Sequence, residues 1–115
     1  MIRSGEVTLG DNESVELADA RVSSGVAGDV YLNGAAMPEN ATIFSLHGIA
    51  RAEQAPDRAR CVELLSARRD DRIRATDAGK WLCVNTDQGT IAALRVVSAP
   101  AIGSPRLVFE YTLWR

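Results

Sequence analysis

The chain of 115 residues has one histidine, one lysine, two cysteines and few aromatic residues, 5% in all. Each scarcity excludes something. His47, Cys61 and Cys83 leave a tetrahedral zinc site one ligand short, and no C-x-x-C is present. No G-x-S-x-G marks a nucleophile elbow, and no glycine-rich loop opens a helix to cradle phosphate. No apolar run exceeds four residues, against the roughly 20 of a membrane-spanning helix. The opening Met1–Glu6 lacks the apolar stretch of a signal peptide. The expectation is a cytoplasmic chain, or the mature or excised part of something longer. The ending at Trp114-Arg115, straight out of a strand-like run, favours an excised module. No internal repeat and no low-complexity tract is found.

What is there is globular. Apolar residues make up 46% and charged residues 24%, with a net charge of −2, values of an ordinary single domain over 1–115. The charge is unevenly spread. Residues 1–50 hold two basic against seven acidic residues, a balance of −5. Such a half does not suit a nucleic-acid binder, which needs a basic face for phosphates. The arginines of 51–74 alternate with acids and read as an ion-paired, solvated surface.

Nine glycines and four prolines punctuate the chain, and turn signals recur every 8–12 residues, the spacing of many short strands in a sandwich or barrel. Strands are predicted at Gly5–Leu9, Ser14–Ala18, Asp29–Leu32 and Thr42–Leu46. His47-Gly48 interrupts the last of these before Ile49–Ala52. Further strands are predicted at Asp71–Thr76, Trp81–Val84, Thr90–Val97 and Leu107–Trp114. Turns are expected at Ser23–Gly25, Asn33-Gly34, Asp77–Gly79 and Thr86–Gly89. Over Leu107–Trp114 strict alternation sends Leu107, Phe109, Tyr111 and Leu113 to the core. Residues 56–68 have a different period. Ala59, Val62 and Leu65 form a stripe flanked by Cys61 and Leu64, with Pro56 suited to the first helical position and Asp57 to the first turn. The fold class is mainly β: an antiparallel sandwich of seven or eight short strands with one short helix near 56–68.

Candidate functional residues are sparse. His47 shares a strand face with Ser45 at i, i+2, but two such side chains point the same way without meeting. Asp11, Asn12 and Asp29 are the candidate oxygen ligands for calcium, although turns favour Asp and Asn for reasons of their own. Asn40-Ala41-Thr42 matches a glycosylation sequon. Cys61 and Cys83 both occupy apolar positions, which suits either a disulfide or two core thiols. Trp81, close to Cys83, reads as core. Trp114 alternates to the polar face of its strand, and with Tyr31 it is the candidate aromatic contact for a protein or carbohydrate ligand.

Several segments together resemble a small actinobacterial β-sandwich module. They are Cys61, the run Gly79–Val96, Ser14–Asp19, Gly28–Leu32 and the closing Leu113-Trp114. That module occurs in cell-envelope and secreted proteins and at the C-terminal end of some membrane-anchored serine/threonine kinases. The resemblance covers nearly the whole chain and implies an extracytoplasmic domain with a Cys61–Cys83 bridge. It carries no catalytic residue and no cofactor. Asn85 and Asp87 depart from the charged pair expected around its hairpin. The expectation is a non-catalytic interaction or ligand-binding module acting in sensing or anchoring at the cell envelope. The partner would be a protein or a cell-wall carbohydrate, with no nucleic acid and no membrane span. Free cysteines would instead place the chain in the cytoplasm. The alternatives are a small secreted inhibitor presenting the Ala99–Pro105 loop, or a small hydrolase-like enzyme using His47.

Overall fold

Alternation of apolar and polar residues dominates the chain, and strands dominate the computed structural model, which describes residues 3–35, 37–74 and 78–115. Met1, Ile2, Ala36 and residues 75–77 lie outside the described residues; the last three include the end of the strand expected over Asp71–Thr76 and the first residue of the turn after it.

Among the described residues nine strands and one α-helix follow in order, with a short 3-10 turn at Pro38–Asn40: β1 (Arg3–Leu9), β2 (Glu13–Glu16), β3 (Arg21–Ser24), β4 (Val30–Asn33), β5 (Thr42–Ala52), α1 (Arg58–Arg68), β6 (Asp70–Arg74), β7 (Trp81–Asn85), β8 (Ile91–Ser98) and β9 (Leu107–Trp114). The strands pair antiparallel in the order β1-β9-β8-β7-β5-β4-β2-β3, with β6 alongside β5. The mainly antiparallel β fold with one short helix is as expected. It takes the form of one continuous sheet. Val7 of β1, Val15 of β2, Val30 of β4 and Phe109 of β9 join one buried cluster. The sheet therefore curls until its two ends share a core.

Period-two alternation sorts the side chains. Leu107, Phe109, Tyr111 and Leu113 are all at most 3% exposed, as their pattern predicts. On β7 and β8 both faces are covered. Leu82, Val84, Ala92 and Leu94 point into the main core. Ala50, Cys83, Ile91 and Ala93 form a second cluster on the outer face, capped by Cys61, Leu64 and Leu65 of α1. Two-sided burial explains why these strands read as unbroken apolar runs.

The helix begins two residues later than its proline suggests. Asp57 is the N-cap, accepting a hydrogen bond from Arg60 N at 2.8 Å, and Pro56 precedes it. Its buried stripe is Cys61, Leu64 and Leu65, whereas Val62 is 37% exposed. An i, i+3, i+4 stripe fits 3.6 residues per turn better than the i, i+3, i+6 stripe through Ala59 and Val62. The disulfide joins Cys61 of α1 to Cys83 of β7, with Cα atoms 5.3 Å apart.

Two strands differ from their sequence reading. β3 takes in Ser23 and Ser24, which the sequence reads as a turn; all four of its residues are exposed at a sheet edge, so no hydrophobic period marks it. β5 runs through His47-Gly48 as a single strand of 11 residues. Its pairing with β6 slips between Phe44 and Ile49. There Gly48 adopts φ +119°, and a Cβ would collide with the Arg69 side chain. Glycine here bends the strand without ending it.

Candidate functional site

Because Tyr111 and Leu113 face inward, Glu110 and Thr112 face outward. Cross-strand register carries this outer face over four strands. Trp81 of β7 stands opposite Arg95 of β8, Arg95 opposite Glu110 of β9, and Glu110 opposite Glu6 of β1. The next row on the same face runs Cys83, Ala93, Thr112 and Ser4. Helix α1 packs on β5, β7 and β8 and leaves the β1–β9 side of these rows open.

The result is a groove of about 430 Å³, within the range of small-ligand clefts. Trp81, half-buried against the cluster beneath α1, supplies its aromatic lining. Ala93, Ser4 and Thr112 also line it, together with the Arg95–Glu110 pair. Arg95 Nη1 donates to Glu110 Oε1 at 2.9 Å, and both side chains stay about half exposed. The groove therefore offers an indole, two carboxylates, one guanidinium and two hydroxyls.

The sequence-based candidates lie elsewhere. Trp114 is half-buried and packs against the cluster beneath α1, so much of its ring is packing surface. Tyr31 lies on β4, its ring 5.8 Å from that of Phe44 and its hydroxyl donating to Asn12 Oδ1. Arg72 covers Phe44 from 4.9 Å. Tyr31 and Trp114 thus belong to separate surfaces. Ser45 is buried while His47 is exposed: the slip in β5 splits a pair that strict alternation would place on one face. His47 contributes its carbonyl, which accepts from Asn85 Nδ2 at 3.1 Å. Asn40 of the sequon is exposed.

Of the oxygen-ligand candidates, Asp11 accepts from Ala35 N at 3.0 Å and Asn12 is taken by Tyr31. Asp29 is 1% exposed and joins two residues not foreseen as its neighbours. Carboxylate oxygens of Glu16, Asp29 and Asp87 all lie within 4.8 Å of one another. Asp29 acts as a bracket: its Oδ2 accepts from Leu17 N at 2.9 Å and its Oδ1 from Asp87 N at 3.0 Å. It thereby ties the end of β2 to the β7–β8 turn. Glu16 Oε1 is buried and has no hydrogen-bond partner among the described residues. Burial pushes the Glu16 carboxyl above the usual range, and the charges of Asp29 and Asp87 push it further. Burial also raises Asp29, against the lowering effect of the two N–H groups it accepts from. Three carboxylates this close can share a proton or face a cation; both oxygens of Asp29 are already engaged by backbone.

The groove residues escaped the sequence reading for a definite reason. Trp81 sits in an apolar run and reads as core. Glu6 and Glu110 lie at opposite ends of the chain, and only the β1–β9 register joins them. The outward phase of Glu110 was the one legible signal. Among the described residues no helix is long and apolar enough to cross a membrane. Comparison with protein-family models, with curated proteins and with solved structures found no match.

Proposed function

We propose that the chain is a non-catalytic ligand-binding module working outside the cytoplasm, with the outer-face groove as its binding surface. The observation that carries this reading is the polar row Arg95, Glu110 and Glu6 beside the Trp81 indole, on the part of the outer face that α1 leaves open. An aromatic wall with a few convergent polar groups is how small-ligand sites obtain both contact area and orientation. The buried Cys61–Cys83 bridge supports an oxidising compartment, and the resemblance to an envelope module points the same way.

The test uses the chain's two tryptophans. With Trp114→Phe as background, Trp81 is the only indole and its emission reports on the groove. Titration with a basic oligopeptide and with a neutral oligosaccharide should give a saturable change for one of them. Thr112→Phe, which fills the groove, should abolish it. A Thr112→Phe protein that melts like its parent and still gives the full response would overturn the reading.

A second reading, a small protein inhibitor, is favoured by the β8–β9 connection. Ala101 and Ser104 exchange backbone hydrogen bonds at 3.0 and 2.9 Å and hold Ile102, 94% exposed, at the tip. A rigid apolar tip loses little entropy on docking. Ile102→Asp would then remove inhibition of the target while leaving the Trp81 titration unchanged; inhibition that survives it sinks this reading.

A further inference from the structure

The charges of the groove do not balance. Glu6 and Glu110 stand directly opposite each other on one face of the β1–β9 ladder, where Cβ atoms are roughly 5 Å apart and like charges destabilise. Arg95 engages one oxygen of Glu110. Among the described residues Glu6 enters no ion pair. Two carboxylates against one guanidinium leave the side chains lining the groove with one excess negative charge. The Trp81 indole stands in the same row, and its negative π-face attracts cations.

We infer that the groove receives a cationic side chain, a guanidinium or ammonium group presented by a basic peptide. The inference rests on the groove being the binding surface. A guanidinium carries five N–H donors in a planar fork. It would find acceptors in Glu6, in the free oxygen of Glu110 and in the hydroxyls of Ser4 and Thr112, with its plane against Trp81. It would also relieve the repulsion that the β1–β9 register imposes. An anion meets two carboxylates here. A neutral saccharide could stack on the indole but would leave that repulsion in place.

The experiment titrates the full chain, in the Trp114→Phe background, with tetra-arginine amide and separately with chitotetraose. Tetra-arginine should bind at low salt and weaken as salt rises. Glu6→Gln and Glu110→Gln should each weaken it about tenfold, the equivalent of one charge-assisted hydrogen bond. Glu63→Gln, an exposed acid on α1, controls for diffuse attraction and should leave the affinity unchanged. Glu6→Gln removes a like-charge contact and should melt no lower than its parent, so folding and binding effects separate. Equal weakening by Glu63→Gln, or none by Glu6→Gln, overturns the cation assignment. A Trp81 response to chitotetraose alone overturns it too, yet leaves the groove as the binding surface. No Trp81 response to either probe overturns both readings.

Discussion

Opening the Cys61–Cys83 bridge should cost more than any single surface change. The bridge spans 22 residues of sequence. The chain-entropy treatment gives roughly 3.4 kcal/mol at 25 °C for a loop of that length. Both cysteines are fully buried in the cluster that seats α1 on the sheet, so replacement by alanine also removes sulfur packing, about 1 kcal/mol per site. The Cys61→Ala, Cys83→Ala double variant should therefore lose about 5–5.5 kcal/mol, a large part of the 5–15 kcal/mol that holds a typical domain. For a chain of this size that corresponds to a fall in Tm of about 20–25 °C. Reduction of the wild type should reproduce the entropic share alone. Urea melts of the oxidised, reduced and double-variant proteins separate the two contributions. Two titratable thiols in the unfolded, unreduced protein, or identical melts with and without reductant, would refute the reasoning and remove the main support for an extracytoplasmic setting.

Three further outcomes follow from the packing and the charges. Phe109→Ala empties a fully buried site and should cost about 3–5 kcal/mol in a denaturant melt, whereas Trp114→Ala, half-buried, should cost less than Phe109→Ala. The raised carboxyls Glu16 and Asp29 contribute stability that is fully present below their unfolded pKa and is lost as pH rises through the folded values. Stability should thus fall from mildly acidic toward neutral pH on their account, and Glu16→Gln should flatten that slope in melts collected across the range. Asp57→Ala removes the N-cap bond to Arg60 N and should cost about 1 kcal/mol by urea melt, loosening α1 without touching the main core.

How much of this was legible depends on where a residue's neighbours come from. β9 was readable because alternation is local: Leu107 through Leu113 declare their face in sequence. The Thr86–Gly89 turn was readable for the same reason, and Thr86 N does bond Thr90 O at 3.0 Å. β3 was not, because an edge strand exposed on both faces has no burial pattern to display. The path of β5 through Gly48 depends on Arg69 and on pairing with β6 and β7, partners that lie after it in the chain. The groove and the carboxylate cluster were illegible on the same grounds. Glu6 with Glu110, and Asp29 with Asp87, meet only through long-range register. Sequence shows which side of a strand a residue occupies, but not which strand lies next to it.

The pairing of the first strand with the last has a further consequence. Arg3 stands opposite Leu113 and Leu9 opposite Leu107, so the two ends of the described chain run side by side. In folding, that ladder encloses almost all of the described residues, and its closure entropy is the largest of any strand pair among them. β1 should accordingly dock late, onto a β7–β8–β9 meander already built from neighbouring hairpins. Joining the ends with a short linker and reopening the chain at Gly103 would turn the slowest pairing into a local one. Such a circular permutant should keep the same sheet and reach it faster, and the same geometry would let a host protein carry the domain as an insertion entered and left at a single point.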